Sequence, residues 1–471
     1  MIDRPSPKQW EPRGLVPMAA GLYWLLAQPG WDWLLWAMIP GCLLLASGVA
    51  MMFMVGEHRL IGLMALGAML GVLLSPVAWV VADFGAAFYA VLVSVASFLV
   101  AGRVGLANEP LYAGAPAPVM STETDAKAAL DEAMLGYFVC SARLPNGDIA
   151  ERMCDNAKRL DQVLSEQGWY DDGAVLHPAP PPPEQTYIEP AHYLGWQHEI
   201  LRFDSGYQPR PELPGSDDWG GRLRNNGQCH VRVFRHAGEP RPWLLCIHGY
   251  RMGMRWTDLS LFSPQWLHQR LGLNVIQPVL PLHGPRRIGF FSGDRFLDGD
   301  MLHFLHAEAQ ALWDLRRTLA WLRHNEPGAR VGVFGISLGG YNAALLAGHE
   351  SELDFVVAGV PLVDIAQALW RFLPPSHLHY FSARGLDEAS FRRLVSIVSP
   401  LSVQPRLDRE RLHILAGSAD RIVLPSHPLA LSRHWDVPIE WYSGSHLTVR
   451  QERAGREVLR RAMAGAGWAV Q

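Results

Sequence analysis

Ser337 lies at the junction between a short apolar run at 330–334 and a segment of small residues. Residues 335–339 read Gly-Ile-Ser-Leu-Gly. The two glycines lack the side chains that would collide where a strand turns sharply into a helix. Such a turn lifts the serine hydroxyl above a sheet and aims the next backbone N–H at the same point. A nucleophile beside an oxyanion donor is the arrangement that acyl transfer requires.

Two other side chains could complete this chemistry, because each follows a later apolar run. Asp420 comes after the run at 411–416, and His446 comes after the run at 438–442. Serine is a poor nucleophile until a base accepts its proton, and His446 is the candidate for that base. Asp420 would hold the imidazole in the required tautomer.

The elements that must position these residues are strands alternating with helices. Nearly continuous apolar strands of this kind predict a mostly parallel sheet with helices on both faces. The turn-rich connection between the first two runs predicts an antiparallel pair instead. The eight predicted strands span residues 197–203, 229–234, 243–247, 274–280, 330–335, 354–360, 411–416 and 438–442.

Residues 195–470 resemble an α/β-hydrolase domain, both in these motifs and in the order of the strands. The serine follows the fifth predicted strand, and the chain order Ser337, Asp420, His446 is the order of that family. The resemblance implies an α/β-hydrolase fold, a catalytic triad of these three residues and a serine hydrolase that cleaves an ester or thioester bond. Because some members of the family carry the acid just past the sixth strand, Asp364 is a second candidate for that role.

The same resemblance implies an oxyanion hole. The third predicted strand ends in His-Gly at 248–249, and the family places such a pair at its oxyanion loop. The backbone N–H groups of Tyr250 and Leu338 would then hold the oxyanion. An acyltransferase or a peptidase of the same fold remains an alternative, as does a non-catalytic, membrane-tethered binding protein.

Three arginines follow the fourth predicted strand and are expected to border the catalytic mouth. Arg286, Arg287 and Arg295 could bind a phosphate or carboxylate of the substrate, for example in an anionic lipid ester. In the alternative arrangement the neighbouring aspartates, at positions 294, 298 and 300, neutralise them locally.

The segment 365–410 is longer than a tight connection between strands and contains a helix candidate at 387–397. The α/β-hydrolases carry a lid at this place. We therefore expect a lid-like insertion with an apolar underside.

The N-terminal hundred residues differ in composition from the rest, with three uncharged stretches at 33–56, 60–82 and 84–102. Each is long enough to cross a bilayer core of about 30 Å at about 1.5 Å per residue. None has the polar stripe of a soluble surface helix. We expect about three transmembrane helices in an integral protein of a bacterial inner membrane, with the side of the catalytic domain left open.

Four regions follow from these patterns. They are a membrane anchor at 1–104, a helical connecting segment at 105–177, a proline-rich linker at 178–190 and the catalytic domain at 191–471. The connecting segment has helix candidates at 126–138 and 149–167. We expect the anchor and the catalytic sheet to be separate folding units.

Charge and cysteine content exclude several classes of protein. The chain of 471 residues has a net charge of -4, which argues against a nucleic-acid-binding protein. Five cysteines are too few for a disulfide scaffold, although Cys140 and Cys154 could either pair or stay free. No Cys/His cluster has zinc spacing. A serine hydrolase of the expected kind implies neither a metal nor an organic cofactor. The oligomeric state is left open.

Overall fold

A computed structural model describes residues 10–222 and 224–468. A sheet of nine strands runs through these residues. The strands are β1 (Thr186–Tyr193), β2 (Trp196–Asp204), β3 (Gln228–Phe234), β4 (Trp243–Ile247), β5 (Asn274–Pro278), β6 (Val331–Ile336), β7 (Phe355–Gly359), β8 (Leu412–Gly417) and β9 (Ile439–Tyr442).

The strands are ordered β1-β2-β3-β5-β4-β6-β7-β8-β9. β5, β4, β6, β7 and β8 run parallel, whereas β1, β2, β3 and β5 pair antiparallel. Every residue of β4, β5, β6 and β7 is buried, as expected for parallel strands that are covered on both faces. This arrangement is the α/β-hydrolase fold, so the predicted fold class is confirmed.

One strand was not predicted, so the sheet has nine strands rather than eight. The extra strand is β1, which begins inside the segment expected to be a proline-rich linker and pairs only with β2. Six of its eight residues are exposed, so it shows no apolar alternation in the sequence. Pro190 is tolerated there because an edge strand can lack a backbone donor.

The helices of the first part of the chain are α1 (Leu15–Leu26), α2 (Trp31–Phe53), α3 (His58–Val81), α4 (Phe84–Asn108), α5 (Thr122–Ser141) and α6 (Gly147–Glu166). Those that follow are α7 (Ser216–Arg222), α8 (Arg255–Leu261), α9 (His303–Asn325), α10 (Leu338–Ala347), α11 (Ile365–Phe372), α12 (Pro375–Ser382), α13 (Glu388–Leu394), α14 (Ser426–Trp435) and α15 (Arg453–Gly465).

Of the helices in the described part of the chain, α2, α3 and α4 are long and apolar enough to cross a membrane. α1, with 12 residues, is shorter than a bilayer-spanning helix. Residues 1–9 of the expected anchor lie outside the described residues.

Helix α5 packs closely against α3 and α4. A Cβ atom added at Gly136 of α5 would lie 2.2 Å from the carbonyl oxygen of Gly62 in α3. A Cβ added at Gly102 of α4 would lie 1.8 Å from the carbonyl oxygen of Asp125 in α5. Since real Cβ atoms do not come so close to other atoms, larger residues at these positions would push α5 away from its neighbours.

The chain forms two compact units. We call the first the helical unit; it comprises the described residues up to Ala142 together with Gly417–Ser426 and Trp441–Glu452. The second, the sheet unit, comprises the described residues within Arg143–Ala416, His427–Glu440 and those from Arg453 onwards. This division differs from the expected separation of anchor and catalytic domain, because two segments from the end of the expected catalytic domain belong with the N-terminal helices.

The expected lid segment consists of α11, α12 and α13, followed by a 3-10 helix at Val395–Val398. The rings of Trp370 and Phe391 lie 5.0 Å apart and join α11 to α13. All five cysteines lie within the described residues and are free, so Cys140 and Cys154 are not paired.

Candidate active site

Ser337 occupies a sharp turn between β6 and α10. Its backbone has φ 62° and ψ −118°, a conformation that non-glycine residues rarely adopt. The Ser337 N–H donates to the carbonyl oxygen of Gly359 in β7 at 2.9 Å, and the Tyr341 N–H donates to the Ser337 carbonyl oxygen at 3.0 Å. Backbone strain of this kind costs about 1–3 kcal/mol and persists only where the surrounding structure imposes it. The neighbouring strand and the first turn of α10 supply that constraint.

The two glycines of the motif are required by close contacts. A Cβ at Gly335 would lie 1.9 Å from the carbonyl oxygen of Gly339, and a Cβ at Gly339 would lie 1.9 Å from that of Ile247. Both distances are far inside van der Waals contact, so a side chain at either position would force the turn open. The Gly-x-Ser-x-Gly spacing therefore describes a real strand–turn–helix junction in this chain.

A backbone donor lies next to the serine. Within residues 10–222 and 224–468, the N–H of Leu338 has no hydrogen-bond partner, as expected for the first residue of a helix. The turn after β4 comes against the serine, since a Cβ at Gly249 would lie 3.3 Å from the Ser337 Cβ. Tyr250, the other predicted oxyanion residue, directly follows this glycine. An unpaired N–H at the positive end of α10 suits a developing negative charge.

His248 has a structural role in this turn. Its Nε2 accepts the N–H of Leu280 at 3.1 Å, so its Nδ1 donates to the carbonyl oxygen of Gly249 at 2.9 Å. Burial lowers the pKa of His248, which favours the neutral ring that this bonding needs. His248 thus joins the turn after β4 to the loop after β5.

Asp420 and His446 form a buried hydrogen-bonded pair in the helical unit. His446 Nδ1 donates to Asp420 Oδ2 at 2.8 Å. The other oxygen of Asp420 accepts the N–H groups of Ile422 at 2.9 Å and Val423 at 2.7 Å. With its proton on Nδ1, the His446 ring presents Nε2 as the basic atom, as in a hydrolase triad.

The charges around His446 favour its protonated form. Burial by itself would lower the pKa of His446, but the charge and hydrogen bond of Asp420, together with the charge of Asp131, outweigh burial and raise this pKa. The imidazolium form of His446 is therefore stabilised by its carboxylate neighbours.

Asp364, the alternative acid, is engaged elsewhere. Its Oδ1 accepts the N–H of Gln367 at 3.0 Å and caps α11, while its Oδ2 accepts from Arg392 Nε at 3.0 Å. Of the two candidate acids, the structure brings Asp420 to His446.

Asp131 of α5 was not predicted as a site residue, although it binds the two loops that carry Asp420 and His446. We call Asp420 and His446 the acid–base pair. The Asp131 carboxylate accepts backbone N–H groups from Arg421, His446 and Leu447 at 2.8–3.0 Å. The only available sequence signal was weak. Asp131 shares a buried helix face with Ala128 and Leu135, where a carboxylate is out of place.

The three predicted substrate arginines have different surroundings. Arg286 is fully buried, and its guanidinium donates to Asp314 Oδ2 at 2.7 Å and to two backbone carbonyl oxygens. The expectation that it borders the mouth is corrected, because burial and these bonds leave it unavailable to a substrate. Arg287 and Arg295 are exposed.

The nearby aspartates do not pair with these arginine side chains within the described residues. Asp294 instead accepts from Arg251 at 2.5 Å, which ties the loop after β5 to the turn after β4. Asp298 accepts the backbone N–H groups of Arg143 and Arg295. Local neutralisation, the alternative role for the aspartates, is therefore not what the structure shows.

No protein-family model matches the chain. Two curated proteins of Mycobacterium tuberculosis do. The uncharacterized protein MT2702 of strain CDC 1551 / Oshkosh is 35% identical over 344 residues, which are 73% of this chain and 82% of the relative. The uncharacterized protein Rv2627c of strain ATCC 25618 / H37Rv is 34% identical over 344 residues, with the same coverage of 73% and 82%.

Solved structures with a similar fold include three esterases. Acetyl xylan esterase 1 from Thermoanaerobacterium sp. JW/SL YS485 is 15% identical with a TM-score of 0.42, covering 69% of this chain and 96% of that one. Acetyl xylan esterase from Paenibacillus sp. R4 is 17% identical with a TM-score of 0.41, covering 69% and 98%. The Pyrococcus furiosus esterase PF2001 is 17% identical with a TM-score of 0.34, covering 60% and 91%. No substrate follows from similarity at these identities.

Proposed function

Since the chain belongs to the same family as the two mycobacterial proteins, whose names state no activity, we propose its function from its own site. The protein is a membrane-anchored serine hydrolase that cleaves a carboxylic ester or thioester through an acyl-enzyme at Ser337. The observation that carries this proposal is the strained turn at Ser337, which is held by β7 and opens onto an unpaired helix N–H.

In the proposed reaction, Ser337 Oγ attacks the acyl carbon while His446 Nε2 accepts the hydroxyl proton. The oxyanion of the tetrahedral intermediate accepts from the N–H groups of Leu338 and Tyr250. The bond to the alcohol or thiol then breaks, and the leaving group takes the proton from His446. Water hydrolyses the acyl-enzyme by the same steps, with His446 again as base.

Asp420 supports both halves of this cycle. Its hydrogen bond to His446 Nδ1 keeps the proton off Nε2 in the resting state and stabilises the imidazolium afterwards. The two N–H bonds to its other oxygen hold the carboxylate in one orientation.

Membrane anchoring is supported by α2, α3 and α4 and by their exposed surfaces. These helices expose large apolar side chains that water would solvate poorly and lipid would solvate well. Examples are Leu35, Ile39, Leu73, Val80 and Leu92.

The substrate we propose is an acyl ester presented near a membrane, such as a lipid. Arg287 and Arg295, both exposed after β5, are the groups that would bind an anionic head group. The segment of α11, α12 and α13 would act as the lid over the acyl chain.

Labelling with a fluorophosphonate probe tests the activity. Detergent-solubilised wild-type protein should label and hydrolyse p-nitrophenyl esters, and Ser337→Ala should lose both activities while keeping its thermal transition. Ser351→Ala, which changes an exposed serine after α10, is the matched control and should label normally. Labelling that survives in Ser337→Ala would overturn the proposal.

A further inference from the structure

We propose that Asp131 is a positioning residue of this hydrolase, which fixes the two loops that carry Asp420 and His446. The inference rests on the proposed function, because it assigns a role within the same acid–base pair. Asp131 lies on α5, far from both loops in the sequence, and belongs with them to the helical unit.

The Asp131 carboxylate accepts three backbone N–H groups from these two loops, and we call this arrangement the backbone clamp. Asp131 Oδ2 accepts the N–H of Arg421 at 3.0 Å and the N–H of His446 at 2.8 Å, and its Oδ1 accepts the N–H of Leu447 at 3.0 Å. One carboxylate therefore holds the residue after the acid and the residue that is the base. Any shift of α5 would change the position of both.

The burial of Asp131 makes this arrangement costly to maintain. Its side chain is fully buried, and the guanidinium of Arg421, whose backbone N–H it accepts, pairs with Glu109 and Glu132 instead. Burial, then the charge of Asp420, raises its pKa to about 7 despite the nearby His446 and the N–H donors. An unpaired buried carboxylate weakens a fold, so its presence here is better explained by what it holds than by stability.

Asp125 on the same helix is a useful contrast. It is also buried, but its carboxylate pairs with Arg103 at 2.6 Å, and it contacts neither loop of the acid–base pair. Asp125 and Asp131 thus provide two buried carboxylates on one helix, of which only Asp131 touches the proposed catalytic pair.

Two other residues of α5 add side-chain contacts to the backbone clamp. Glu132 accepts from Arg421 Nε at 2.8 Å, and Lys127 donates to Glu452 at 2.8 Å. Two residues of α5, Asp131 and Glu132, therefore bind the loop that carries Asp420. Asp131 and Lys127 bind the segment around His446. The loops cannot take other positions without breaking these bonds.

The variant Asp131→Asn tests the role with little change of shape. Its amide oxygen can still accept two of the three N–H groups, but its NH₂ group opposes the third and its charge is gone. We expect kcat to fall about ten- to hundredfold with KM little changed, the scale of loss that a 1 Å misplacement produces. In Asp131→Ala, which loses all three hydrogen bonds, kcat should fall further than in Asp131→Asn.

The pH profile separates positioning from a general loss of stability. The titratable groups that act on Asp131 or are influenced by it are Asp420, His446 and Tyr442. Because Asp131 raises the pKa of His446, Asp131→Asn should move the acid limb of the kcat profile to lower pH. Asp125→Asn should leave both kcat and that limb unchanged, whatever it does to the melting temperature.

The measurements are made on the full-length protein in detergent with a p-nitrophenyl ester, with Ser337→Ala in parallel. Reduced kcat and a shifted acid limb in Asp131→Asn alone would support the role. Kinetics of Asp131→Asn that match those of Asp125→Asn would overturn it, even if Asp131→Ala fails to fold. Activity that persists in Ser337→Ala would instead overturn the proposed function.

Discussion

His446 donates its backbone N–H to the carboxylate of Asp131, a residue that lies 315 positions earlier in the chain. The same oxygen atom accepts the N–H of Arg421, which directly follows the proposed catalytic acid. The sheet holds Ser337, the proposed nucleophile, through β6 and β7, whereas the N-terminal helix α5 binds the loops that carry Asp420 and His446.

The acid should be Asp420 rather than Asp364. Asp420→Asn should reduce turnover by about 10⁴-fold, since an amide at this position favours the wrong tautomer of the histidine. Asp364→Asn removes only a helix cap and a contact with Arg392, so its turnover should stay near wild type. Steady-state kinetics with one ester compare the two variants, and the opposite ranking would transfer the role to Asp364.

Activity should decline in mild acid at a higher pH than an ordinary histidine would cause. His446 must be neutral to accept a proton, and its pKa is raised by Asp420 and Asp131 against the opposing effect of burial. The acid limb of kcat/KM should therefore have its midpoint above about 6.5, the ordinary value for histidine. A neutral ester, which does not titrate itself, should be used, and a midpoint below that value would contradict the assignment of the base.

Arg286 should matter for stability and not for substrate binding. Arg286→Gln leaves Asp314 buried without its partner, which should lower the free energy of unfolding by about 3–5 kcal/mol. Arg287→Gln, at the exposed neighbouring position, should change it by less than about 0.5 kcal/mol. Denaturant unfolding in detergent measures both, and equal stability of the two variants would contradict the role of the ion pair.

Arg287 and Arg295 should select anionic substrates if the lipid proposal holds. A lost charge-assisted contact costs about 1.5–3 kcal/mol, or roughly ten- to hundredfold in binding. The double variant Arg287→Gln and Arg295→Gln should raise KM for an anionic phospholipid by about that factor and leave KM for a neutral p-nitrophenyl ester unchanged. Equal changes for both substrates would argue against head-group recognition.

Removal of residues 1–104 should destroy the acid–base half of the site. The deletion takes away α1 to α3 and most of α4, against which α5 packs at Gly102 and Gly136. The shortened protein should lose fluorophosphonate labelling and cooperative unfolding. A soluble product that labels at the wild-type rate would show that the two units fold independently, as the sequence alone had suggested.

Ser337, Asp420 and His446, the proposed nucleophile, acid and base, and the central parallel strands could be predicted from the sequence because each depends on a local pattern. Ser337 is recognisable by its flanking glycines. Asp420 and His446 are recognisable because each comes shortly after an apolar strand. The structure adds the Asp420–His446 hydrogen bond to those patterns. The central strands are fully buried, and they are therefore recognisable in the sequence as apolar runs.

The contacts that were missed depend on residues distant in the chain. Nothing near Asp131 indicates that its partners are Arg421, His446 and Leu447. Arg286 was misplaced because its partner Asp314 lies on α9, 28 positions away, while three aspartates nearby offered a simpler pairing. Strand β1 was missed because an exposed edge strand needs no apolar alternation.

The helical unit is built from segments that lie far apart in the chain, so they are synthesised at different times. Its helices α1 to α5 leave the ribosome first, whereas Gly417–Ser426 and Trp441–Glu452 are translated some 300 positions later. Contacts between such distant segments form slowly, because a long loop must close before they are made. A nascent chain that already contains Ser337 therefore lacks His446, its proposed base, until translation is nearly complete.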